Sequence, residues 1–98
     1  MGNIASSNVA TPWGYATWGN KRIVHVVVTG DGSNAVLPVP IRPVHVFIAL
    51  DQGSNSDTAL VTNGVYFTMN NSSQPYTVTY SAAPTNNKKH TVFIVGDD

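Results

Sequence analysis

The chain contains no cysteine and no glutamate. Without cysteine, disulfide scaffolds and Cys-based zinc sites are excluded, and the redox compartment is left open. Charge is equally sparse: five Lys/Arg stand against five Asp in 98 residues, for a net charge of zero. Such a chain lacks the basic footprint of a nucleic-acid binder. It also lacks an acidic tail or a polybasic membrane patch. No apolar run approaches the roughly 18–20 residues that span a bilayer. No basic region followed by an apolar block marks a signal peptide. Strong helix formers are scarce too. The longest stretch free of Gly, Pro, Val, Ile and Thr is six residues, 69–74, and it is rich in Asn and Ser. No amphipathic helix of ordinary length can be written onto this sequence.

What is present points the other way. Fourteen Val, ten Thr and five Ile stand against three Leu. β-Branched side chains are stiff at χ1 and fit a pleated, half-buried surface. Asn, Ser and Thr together number 28, which supplies solubility through short uncharged side chains. The length suits one domain, large enough to hold a core without staples.

Along the chain, residues 1–22 differ from the rest. Residues 1–11 are small and polar with no sustained alternation. Three aromatics then fall within six residues: Trp13, Tyr15 and Trp18. This reads as an N-terminal arm with an aromatic anchor, or else as a first strand followed by a turn. Residues 23–98 read as a single β domain. Strands are expected at 23–29 (IVHVVVT), 35–39, 44–50 (VHVFIAL), 58–62, 65–69, 76–80 (YTVTY) and 90–95 (HTVFIV). Asn63-Gly64, between two β-type runs, predicts a two-residue hairpin. Gly, Asn and Asp clusters mark the other turns, and Pro38, Pro40 and Pro43 mark an edge strand or a crossing between sheets. The expected fold is all-β: an antiparallel β-sandwich or jelly-roll-like small barrel of about seven strands. Core candidates are Val24, Val26, Val28, Val44, Val46, Ile48, Leu60, Val65, Phe67, Val78, Phe93 and Val95. Strands 23–29 and 44–50 are apolar on both faces, whereas the outer face of a two-layer sandwich is normally polar. The arm, a loop or another subunit is therefore expected to cover their outer faces, where Val27 and Phe47 lie.

Chemistry is thinly represented. His25, His45 and His90 sit in or at the start of strands without metal-ligand spacing, and the simpler reading is strand or interface residues. Asp51, Asn55 and Asp57 superficially resemble a calcium loop but lack its terminal Glu. No nucleophile motif is present, and all five Asp fall in turns or at the C-terminus. No enzyme, cofactor or metal site is expected, and a small-molecule ligand is not favoured. Met1-Gly2-Asn3-Ile4-Ala5-Ser6 fits the loose myristoylation pattern, without the basic patch that would supply a second anchor. The sequons at Asn70 and Asn71 match loop composition. Trp13, Tyr15 and Trp18 can serve as a sugar-stacking platform, as interface anchors, or as plugs in the domain's own core.

The short Cys-free β-rich chain, the aromatic-bearing segment 1–20, the Asn/Ser/Thr-rich loops 51–57 and 70–74, and the doubly apolar strands together resemble small accessory proteins of tailed-bacteriophage virions, of the capsid decoration (cement) type. The resemblance covers the whole chain in style, without a diagnostic motif. It implies a non-enzymatic structural protein, made in the host cytoplasm and located in the virion. It also implies contact with a major capsid or other virion protein and self-association, with a trimer favoured. The interface candidates are Trp13, Tyr15, Trp18, Val27 and Phe47. A carbohydrate-binding or adhesion module is the alternative, and a domain of a larger secreted enzyme or receptor is a third reading.

Overall fold

The computed structural model describes residues 2–50, 52–62 and 64–97, with the side chains of 61 and 62 left out. It is all-β, with seven strands in two antiparallel sheets. The strands are β1 (Gly14–Trp18), β2 (Lys21–Thr29), β3 (Val36–Pro38), β4 (Arg42–Leu50), β5 (Phe67–Asn70), β6 (Thr77–Tyr80) and β7 (Lys89–Asp97). A four-stranded sheet runs β1-β2-β7-β4, and a three-stranded sheet runs β3-β6-β5. The long β-branched runs became the long strands, β2, β4 and β7. They lie side by side because each carries an apolar inner row that must be covered.

The core lies between the sheets. Val24, Val26 and Val28 of β2 and Val92 and Ile94 of β7 meet Leu37, Val78 and Tyr80 of the smaller sheet. Ile4 and Leu60 close it from outside the strands. Val46, Ile48, Val65 and Phe67 pack against this cluster while only partly buried. Phe93, expected in the core, is on the other face of β7 and only half-buried; Val95 shares that face by register yet is buried as expected, at 1 % exposure. The inward residues are His90, Val92 and Ile94. Both faces of β7 are apolar, so alternation gives the period of the strand without its phase.

Two expected elements are corrected. Residues 58–62 form a one-turn α-helix, α1 (Thr58–Thr62), rather than a strand. Gly64 follows it with φ 65°, and the Val65 N–H donates to the Leu60 carbonyl at 3.1 Å. That six-to-one bond beyond a left-handed glycine is how many helices stop. The Asn-Gly pair thus has a helical turn before it instead of a strand that could pair with β5; Asn63 itself is outside the described residues. Leu60 is driven into the core by the turn.

The second correction concerns the arm reading of residues 1–22. Residues 14–18 form instead the first strand of the other reading, the edge strand β1, paired with β2 from Gly14↔His25 to Trp18↔Lys21. The residues before it strap the sandwich. The Ile4 N–H donates to Val36 O at 2.7 Å beside β3, and the Ala10 N–H donates to Val27 O at 2.9 Å beside β2. The Asn8 side-chain amide adds a bond to Thr29 O at 2.9 Å. The strap therefore ties an edge of one sheet to an edge of the other.

Candidate interaction surface

The outer face of the four-stranded sheet is built by register. Cross-strand partners share a face, and alternate residues along each strand return to it. The pairs Gly14↔His25, His25↔Phe93 and Phe47↔Phe93 therefore define one row across all four strands. The Phe47 and Phe93 rings stack at 5.0 Å between centroids, 3° from parallel, and His25 meets Phe93 at 5.4 Å. The His25 imidazole lies across Gly14, in the space a side chain there would fill. One row beyond come Ala16, Ile23, Val95 and His45. On the other side come Val27, Thr91 and Ala49. No charged side chain stands in these three rows.

Charges are confined to the ends. Lys21 donates to Asp97 at 2.9 Å, and Arg42 lies 3.9 Å from the same carboxylate. The Lys21 hydrogen bond holds the Asp97 carboxyl below the usual carboxylate range. Lys89 stands at the opposite end, paired with Thr29.

This face is open to solvent. Its β2 residues are half-buried, and Phe47 is 44 % exposed. The three uncharged rows cover at most about 19 Å by 20 Å, or under roughly 400 Å². That is within the range of the largest apolar patch on an ordinary monomer, about 300–600 Å².

The sequence candidates divide. Trp18, Val27 and Phe47 share the outer face, with Trp18 at its corner and 59 % exposed. Tyr15 is on the opposite side of β1, 58 % exposed, with the Arg22 guanidinium 5.9 Å from its ring centre. Trp13 packs against the core and lines a groove of about 170 Å³ with Ile4, Val9 and Leu37. The three aromatics thus form no common platform. Ile23, His25 and Phe93 complete the surface, while Val95 in the same rows is fully buried. Sequence reasoning missed Phe93 because it placed the phenylalanine inside.

The inner face carries one polar cluster. The Tyr80 hydroxyl and His90 Nε2 are 2.6 Å apart, both buried. Burial and the nearby Asp57 carboxylate push the Tyr80 phenol well above its ordinary range. Asp57 is also buried and accepts from the Thr85 N–H at 3.1 Å. Tyr80, His90 and Asp57 are each 1 % exposed or less. Among the described residues, no group of three or more His, Asp or Glu side chains is placed to hold a metal ion. His25 and His45 belong to the outer face and His90 to the inner one. Compared with family models, curated proteins and solved structures, the chain matches none.

Proposed function

We propose that this chain is a non-enzymatic structural protein that works by laying the outer face of its four-stranded sheet on a protein partner. The observation that carries this reading is the uncharged apolar face with the Phe47–Phe93–His25 row, open in the single chain. Water contact with such a surface is unfavourable by roughly 25 cal/mol per Å² of apolar area. A stable one-to-one interface takes about 800 Å² per partner, so under roughly 400 Å² gives a modest contact. Modest contacts become strong when many copies repeat on a symmetric scaffold. A bacteriophage capsid is such a scaffold, and the virion setting is supported by the resemblance described above. Mechanism is passive: the face covers a seam between neighbouring subunits, and Trp18 extends the contact at its corner.

The test is binding to purified particles by the wild-type chain and by a Phe47→Asp variant. Phe47 is exposed, so the variant keeps its far-UV circular dichroism spectrum. Loss of particle binding with the fold intact supports the reading. Particles that neither carry the chain nor bind it when it is added back overturn the virion setting.

A further inference from the structure

We infer that β4 is a strand-addition edge and that its partner is a second copy of this chain, joined antiparallel through β4 into a two-fold dimer with a continuous eight-stranded sheet. The argument starts from the edges. Antiparallel ladders use the N–H and C=O of alternate residues, so an edge strand leaves the other half unpaired. The two sheets present four edges: β1, β4, β3 and β5. Three are short or covered. β3 is three residues long, with Ile4 bonded to Val36 beside it. β5 is four residues long. β1 is five residues long and begins at a glycine. β4 is nine residues long.

Little protects it. Proline and a register shift between Pro43 and His45 blunt its first residues, and Asn71 covers the Pro43 carbonyl at 3.1 Å. Among the described residues, no hydrogen bond reaches the outer edge of β4 from Val44 to Leu50. Val46 and Ile48 point inward yet stay only half-buried, as expected at an open rim. Natural sheets guard long edges with charge, and β4 carries none after Arg42.

These facts specify the occupant. Unpaired backbone groups in a row are satisfied by water in the single chain, and the protein element whose groups match their spacing is another extended strand. A second β4 meets the requirement with equal length and no like-charge clash, because the run 43–50 is uncharged. Two-fold antiparallel pairing sets Val44, Val46, Phe47 and Ile48 opposite residues of the same kind, which are favourable cross-strand neighbours. The union leaves both outer faces on one side. It stands apart from whatever that face binds, so it is tested without particles.

The experiment is analytical ultracentrifugation of the isolated full chain across micromolar concentrations, combined with single-cysteine cross-linking. The cysteine-free sequence makes each introduced thiol unique. Cysteines are placed in β4 (His45→Cys, Phe47→Cys, Ala49→Cys), at the centre of the outer face (Thr91→Cys), and on two other edges (Ala16→Cys, Thr68→Cys). Expected is a dimer that oxidises to a cross-linked species at position 47, where the strand meets its own copy, and not at 45 or 49, which lie about 14 Å from their copies, nor at 16, 68 or 91. Ala49→Lys should raise the dimer dissociation constant about tenfold or more with an unchanged circular dichroism spectrum. A monomer throughout, a trimer, or a dimer that cross-links at position 91 overturns the proposal.

Discussion

The two faces of β7 carry nearly the same apolar content and meet different surroundings. Inward, Val92 and Ile94 are fully buried against the smaller sheet. Outward, Phe93 stacks along its own sheet on Phe47 and His25 and is only half-buried. The inward face makes the fold. The outward face is the one on which the proposed contact rests.

The largest effect that tests this contrast comes from neighbours in sequence. Ile94→Ala should cost about 2–5 kcal/mol in denaturant unfolding, since the cavity opens in the middle of the core. Phe93→Ala, one residue away and half-buried, should cost less, about 1–2 kcal/mol, from partial burial together with its ring pairs. Equal losses at both positions would break the comparison and make the outer row part of the domain's own stability.

The two tryptophans sharpen it at the N-terminal end. Trp13 packs on the core, so Trp13→Ala should destabilise the isolated chain by about 2 kcal/mol, below the roughly 3–5 of a fully buried aromatic. Trp18 stands mostly in solvent, so Trp18→Ala should change stability by less than about 0.5 kcal/mol. Its effect belongs to association with the partner. The sequence treats the pair as one anchor, and chemical denaturation of the two variants separates them.

That separation shows where the sequence was legible. β2, β3, β4, β6 and β7 follow from β-branched runs and punctuation, because local pattern and tertiary position agree there. The hairpin signal was assigned to the wrong pair. Asn63-Gly64 joins no two paired strands, because Gly64 follows a helical turn. The two-residue turn is Gly19-Asn20, with Gly19 at φ 63° between Trp18 and Lys21. A glycine-first pair is a recognised form of the same signal, and it was hidden inside a stretch read as an arm. The surface was half legible. Doubly apolar strands announced an outer face, and Val27 and Phe47 belong to it. The partnership of Phe47 with Phe93 and His25 depends on register between strands far apart in sequence, which no local pattern carries.

The inner face also holds the one polar pair that breaks its apolar character, and here the expected effect is smallest and depends on pH. Tyr80→Phe keeps the ring contact with Phe67, 4.8 Å between centroids, and removes only the hydroxyl from His90. Loss of a buried hydrogen bond with one partner left behind should cost roughly 1–2 kcal/mol at neutral pH. Folding raises the ionisation of Tyr80 above the 10.0 of a free tyrosine. Above pH 10 the unfolded chain gives up this proton while the folded chain keeps it. The stability contributed by Tyr80 is therefore complete below pH 10 and falls as pH rises beyond it. The phenylalanine variant has no such proton, so its alkaline limb should be shallower and the two stability curves should converge as pH rises. Denaturant titrations at pH 8 to 11 measure the difference directly, and the remaining tyrosines and lysines cancel between the two proteins. Parallel curves would mean that the Tyr80–His90 contact is open to water. The inner face would then lose the seal that distinguishes it from the outer one.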